Sequence, residues 1–133
     1  MKNSNALVTV RGLVGKLIMG AFFALVLAGA SYAQSGNLYE ANGRGRLGYI
    51  TVHPNLFRID MGGSNEIKIY NCSPIANSGL KCVFTQFNNG RTNYSGEAQV
   101  YQSGAVYLRW MYEFLGNQQR NTSDNGWKAY QVR

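Results

Sequence analysis

Residues 34–133 predict a small all-β domain: an antiparallel meander barrel of seven or eight strands, with a two-sheet β-sandwich as the alternative. Three observations carry that expectation. Short runs rich in Val, Ile, Tyr, Phe and Trp recur after residue 45, separated by clusters of Gly, Asn, Ser and Pro. No stretch after residue 33 sustains a helical period. The connections are short, which suits antiparallel neighbours, whereas parallel pairing needs crossovers of about a dozen residues or more.

The first element in the chain is an address. Residues 1–20 hold Lys2, Arg11 and Lys16 and no acid; an apolar run follows to Ala28, and small residues lead to Ser31-Tyr32-Ala33. A positive start, a short apolar stretch and a small-x-small exit make up a secretory signal peptide. The run is too short for a comfortable membrane span, and Ala30 stands where a lipoprotein signal needs Cys. The chain therefore divides into a leader, 1–33, and a single all-β domain, 34–133. The domain is expected in the periplasm or outside the cell, without stable membrane insertion.

Strands are expected near 47–52, 56–61, 66–72, 81–87, 97–102, 105–114 and 127–132, with a short extra one around 38–41. Pro54 donates no ladder hydrogen bond and restricts His53, so His53-Pro54-Asn55 separates the first pair. Gly62-Gly63-Ser64-Asn65 and Ser103-Gly104 mark further turns, and Asn89-Gly90 and Asn125-Gly126 are strong turn dipeptides. Alternation sorts the faces. Val106, Leu108, Trp110, Tyr112 and Phe114 oppose Tyr107, Arg109, Met111 and Glu113. Ile67 and Ile69 oppose Lys68 and Tyr70, while Ala98 and Val100 oppose Gln99 and Tyr101. The run 81–87 does not sort, because Leu80, Cys82 and Phe84 compete with Val83 and Phe87. Residues 115–126 have no apolar side chain after Leu115 and read as a mobile loop.

A domain this short buries a modest core and gains from a covalent clamp. Cys72 and Cys82 are the only cysteines, and in an oxidising compartment they predict a disulfide. Closing that loop contributes about 2.8 kcal/mol on the chain-entropy model. It would clamp the mouth of a long loop, 73–81. Zinc would need two further ligands and the chain has one histidine, His53, so neither a metal nor a cofactor is expected.

The formal net charge is +7, of which the leader supplies +3, leaving +4 for residues 34–133. The cations are spread out, without the basic run of a nucleic-acid arm, so nucleic acid is not expected as a partner. Gly43-Arg44-Gly45-Arg46 reads as a solvated turn. The mild positive field favours anionic partners and keeps the domain soluble.

Enzyme chemistry is not expected. There is no Gly-x-Ser-x-Gly elbow after the leader, the cysteines are committed to each other, and His53 sits at a turn. Glu97 and Glu113 are an example of a carboxylate pair on neighbouring strands, and solvated side chains are the simpler reading of them. The aromatics carry more information. Lys68, Tyr70, Tyr101, Tyr107 and Arg109 fall on outward faces and form the candidate ligand patch, since Tyr offers an apolar face with a polar tip. The same residues also read as cross-strand pairs that stabilise a sheet surface, or, in a closed barrel, as the lining of an internal pocket.

The expected function is an exported, non-enzymatic binding module for an anionic or carbohydrate component of the cell envelope. The alternative is a periplasmic inhibitor or immunity-type protein that grips an acidic enzyme or toxin through the clamped 73–81 loop. Envelope polysaccharide and an acidic protein are thus the two expected partners, and the oligomeric state stays open. The plan of leader, one disulfide and about 100 β-rich residues resembles small bacterial envelope proteins, periplasmic lysozyme inhibitors among them. The resemblance is one of architecture rather than motif. Many lysozymes are cationic, so a +4 domain would meet such a target with repulsion.

Overall fold

Nine strands account for most of residues 34–133, the residues described by the computed structural model. The leader assigned to 1–33 lies outside the described residues. Strands β1 (Gly36–Glu40), β2 (Arg46–His53), β3 (Leu56–Gly62), β4 (Asn65–Ile75), β5 (Gly79–Asn88), β6 (Arg91–Tyr101) and β7 (Ala105–Leu115) each pair antiparallel with the next. β8 (Gln118–Asn121) folds back on the end of β7. β9 (Lys128–Val132) pairs with β7 on one side and β1 on the other. Those two pairings close an eight-stranded barrel from β1–β7 and β9, with β8 as an extra strand outside the ring. Closure decides between barrel and sandwich, and it removes the edges of the ring. No helix among the described residues is long and apolar enough to cross a membrane.

The turns follow their residues. Asn89 and Gly90 both adopt positive φ, 52° and 77°, and join Asn88 to its partner Arg91. That is the backbone twist a two-residue hairpin demands.

Each strand of the ring sends side chains inward. Leu38, Ile50, Ile59, Ile67, Ile69, Phe84, Val100 and Leu108 are all within 1% of complete burial. An eight-stranded ring is just wide enough for side chains to fill, and here apolar side chains fill it. No polar residue of the described set is fully buried. Tyr70, Tyr101 and Tyr107 alternate with this lining and point outward, so the expected internal pocket is replaced by a packed core. In β5 the competition also resolves: Leu80, Cys82 and Phe84 are buried, and Val83 is 38% exposed.

Three expectations need correction. β6 begins at Arg91 rather than 97, because Arg91–Gly96 pairs with β5 beyond the filled lumen, where no apolar alternation is required. Part of the supposed mobile loop 115–126 is β8, held by the register Tyr112↔Asn121 to Leu115↔Gln118. The 73–81 loop shrinks to a turn at 76–78, since Ser73↔Lys81, Pro74↔Leu80 and Ile75↔Gly79 are paired. The Cys72–Cys82 disulfide is present and joins neighbouring strands just before that turn. It is consistent with an oxidising, extracellular or periplasmic location.

A fourth correction matters most for the site. Ser95 pairs with Tyr112 but Gly96 pairs with Trp110, so Met111 is an extra residue, a β-bulge. Beyond it the faces exchange. Glu113, opposite Tyr94, now shares the inward side with Trp110, and Tyr112 does not.

Tyr130 of β9 lies inside the ring, 8% exposed. Burial first, and then the charge of Glu40, raise its pKa above the ordinary tyrosine range. The folded state thus holds the phenolic proton more tightly than the unfolded chain does. This stability is complete below the unfolded pKa and is lost as pH rises through the folded one. Denaturation midpoints are expected to fall as pH rises above the ordinary tyrosine pKa of about 10, and Tyr130→Phe to flatten that part of the decline.

Candidate ligand cleft at the barrel mouth

The five residues of the expected patch lie on the outer wall of β4, β6 and β7, and only some of them meet. Tyr101 and Tyr107 stack edge to face, centroids 5.8 Å apart, and the Tyr101 hydroxyl donates to Gln99 Oε1 at 3.1 Å. Tyr70 shares a hydrogen bond with Thr85 Oγ1 at 2.8 Å, and the Lys68 ammonium sits 5.5 Å from the centre of the Phe87 ring. Arg109 is 3.7 Å from Glu97, donates from Nε to the Asn125 carbonyl at 2.9 Å, and covers the Trp127 ring at 5.9 Å. The register Tyr70↔Val83↔Glu97↔Arg109 puts two strands between Tyr70 and Arg109. Three interstrand steps amount to about 14 Å. The wall holds a Tyr pair, Lys68 over Phe87, Tyr70 bonded to Thr85 and an arginine that is already engaged, rather than one convergent site.

A concave site exists elsewhere, at the mouth where β2 and β9 begin and β3 ends. There a cleft of about 450 Å³ opens beside the lumen. Trp110 forms its inner wall. The indole packs edge to face on Phe84, 5.4 Å between centroids, and Nε1 donates to Gln86 Oε1 at 2.7 Å. Gln86 in turn donates from Nε2 to Asn88 Oδ1 at 3.2 Å. The ring is thus fixed by packing on one side and by a hydrogen-bonded amide on the other. Tyr94 and Glu113 rise beside it because the bulge at Met111 turns Glu113 inward. Leu47 and Met61 form the opposite lip.

The segment between β8 and β9 caps the cleft. Thr122 anchors it twice, its N–H to the Met111 carbonyl at 3.0 Å and its hydroxyl to the Trp110 carbonyl at 2.7 Å. The bulge thereby supplies the carbonyl that fixes the cap. Asp124 accepts from Lys128 at 2.8 Å and from the Gly126 N–H at 3.3 Å. The hydrogen bond from Lys128, then that from Gly126, then the charge of Lys128 hold the Asp124 carboxyl below the usual carboxylate range. A depressed folded pKa adds order above the unfolded pKa and loses it as pH falls through the folded one. Amide protection at 124–128, taken relative to the intrinsic exchange rate at each pH, is expected to fall on acidification before the barrel opens, and Asp124→Asn to remove that step.

Glu113 meets Arg120 of β8 at 3.1 Å. Glu97 faces outward to Arg109, so the two carboxylates weighed as a catalytic pair stand on opposite sides of the wall. Among the described residues no group of three His, Cys, Asp or Glu side chains is placed to hold a metal.

The cleft therefore offers an aromatic surface with carboxylate and amide oxygens around it, suited to hydroxyl-rich ligands. Alternation alone put Trp110 inside. Gln86, Tyr94 and Asp124 escaped notice, and Glu113 was placed on the outward face, because their convergence needs the register of three strands and one bulge. No protein-family model, no curated protein and no solved structure matches this chain.

Proposed function

We propose that this protein is an exported, non-enzymatic binding module that takes a carbohydrate of the cell envelope at the barrel mouth. One observation carries the reading. The lumen is packed, while the mouth offers a cleft in which Trp110 is held by Phe84 and Gln86 beside Tyr94 and Glu113. A sugar ring presents an apolar face to an aromatic and an edge of hydroxyls to carboxylate and amide groups. The carboxylate and amide oxygens at this mouth can accept from sugar hydroxyls beside the aromatic surface, and that favours carbohydrate among the expected ligands. The leader pattern and the disulfide support work in the periplasm or outside the cell.

Calorimetric titration with N-acetylglucosamine oligomers and disaccharide fragments of peptidoglycan tests the reading. Glu113→Gln and Tyr94→Ala are each expected to weaken binding about tenfold. Tyr107→Ala, on the outer wall, is expected to leave it unchanged. Affinity that survives both cleft changes and falls with Tyr107→Ala overturns the proposal.

With the 73–81 loop reduced to a turn at 76–78, the inhibitor reading would have to use another surface. The outer wall exposes Val83 and Trp127 and carries the Tyr101–Tyr107 pair, residue types found at protein hot spots. On that reading Tyr107→Ala would abolish a stoichiometric complex with an acidic protein.

A further inference from the structure

The outer face of β9, β1 and β2 carries two arginines that form no ion pair among the described residues. Among the described residues Asp60, Glu66, Glu97, Glu113 and Asp124 each lie within salt-bridge distance of Arg58, Arg109, Arg120 or Lys128. The sixth carboxylate, Glu40, ends β1 opposite Tyr130, with its carboxylate over Gly43 and Gly45 of the following turn and in no ion pair among the described residues. Arg46 and Arg133 belong to none of these pairs, yet the fold seats both on β1. Arg46, opposite Tyr39, turns its Nε to Asn37 Oδ1 at 2.9 Å. Arg133 donates its backbone N–H to the Asn37 carbonyl at 2.8 Å and lays its guanidinium over the Tyr39 ring, 5.2 Å from the centroid. Asp60, beyond Tyr49 in the same row, is turned to Arg58 at 3.9 Å and to the Gly62 N–H at 2.9 Å.

Both arginines thus rest on β1, Arg46 at the Asn37 side chain and Arg133 over the Tyr39 ring two residues on, with terminal N–H groups that bond to no described residue. Like charges on one strand repel, and an oxyanion that takes both relieves the repulsion. The planar fork of arginine matches phosphate geometry. Position supplies the second argument. Arg46 directly precedes Leu47, which forms the lip of the mouth cleft. A glycan chain that leaves the cleft over this lip runs onto the arginine face.

We infer that the glycan bound at the mouth carries phosphate, and that Arg46 and Arg133 bind that phosphate on the outer face of β1 and β2. The inference rests on the mouth as a glycan site. Its test uses one lipopolysaccharide core oligosaccharide, phosphorylated and after removal of its phosphate, titrated into the oxidised protein. The phosphorylated form is expected to bind about tenfold tighter at low salt. The double variant Arg46→Gln/Arg133→Gln is expected to abolish that ratio and leave the dephosphorylated form's affinity unchanged.

Equal binding of the two forms by the unaltered protein, or a ratio that persists in the double variant, overturns the arginine site and leaves the cleft standing. Arginine-dependent binding of the phosphorylated form alone, indifferent to Glu113→Gln, sinks the cleft reading and keeps the arginine site. Arginine-dependent binding to vesicles rich in phosphatidylglycerol, without any preference between the oligosaccharides, assigns the face to a membrane and overturns the inference. No binding of either form overturns both.

Discussion

Gly96→Ala is expected to cost about 3 kcal/mol or more, a large fraction of what holds a domain of this size together. A methyl group at Gly96 would collide with the Arg109 carbonyl oxygen and come within 2.8 Å of Phe84 Cε2. Neither neighbour can yield cheaply. The Arg109 carbonyl belongs to β7 beside the Met111 bulge, and Phe84 is one of the most completely buried side chains. The ring of Phe84 also supports Trp110, so the damage would reach the cleft. The melting temperature is expected to fall by roughly 12–24 °C. Gly126→Ala supplies the control. It meets only the Asp124 carboxylate, at 3.7 Å, and its cost is expected to stay within about 0.5 kcal/mol. Guanidinium denaturation of the two variants makes the comparison, and similar losses in both would refute the close-approach argument.

Loss of the disulfide is expected to be nearly as damaging. Cys72 and Cys82 are ten residues apart in sequence, and the chain-entropy model assigns such a closure about 2.8 kcal/mol. The location adds to the effect. The β4–β5 ladder is regular up to Tyr70↔Val83 and resumes at Ser73↔Lys81, with Asn71 in the left-handed region at φ 53° between them. The bond spans the interruption in the ladder. The double change Cys72→Ala/Cys82→Ala is expected to lower the melting temperature by roughly 11–22 °C. Amide exchange should then rise first at Ser73 to Lys81, outside the interruption. Uniform loosening of the whole barrel would show that the bond acts through the unfolded chain alone. The mouth cleft, at the other end of β5, should keep its ligand in the cold.

Much of the ring was legible in the sequence because inward and outward residues alternate cleanly where both lumen and solvent are near. Ile67 and Ile69, and Ala98 and Val100, sort to the inner face for that reason and are fully buried. Turn chemistry did the rest, with Pro54, Gly62-Gly63 and Asn89-Gly90 separating strands that the structure pairs. Legibility ended where the strands outrun the core. The first half of β6 and all of β8 are polar, and their partners, rather than their own patterns, make them strands. The bulge was invisible for a related reason. Met111 is an ordinary member of an alternating run, and only the close approach at Gly96 displaces the register. The cleft depends on that one-residue shift. Without it Glu113 would face solvent and Tyr112 would fill the mouth.

The chain has two tryptophans, and they divide the competing sites between them. Trp110 donates its indole N–H inside the cleft, whereas Trp127 is 41% exposed on the outer wall beneath Arg109. The most direct measurement is therefore a ¹⁵N NMR titration that follows the two indole N–H resonances as N-acetylglucosamine oligomers or peptidoglycan disaccharides are added. Carbohydrate bound at the mouth should move the Trp110 resonance in proportion to occupancy and leave Trp127 in place. Movement of Trp127 with Trp110 unmoved would put the ligand on the wall and contradict the account.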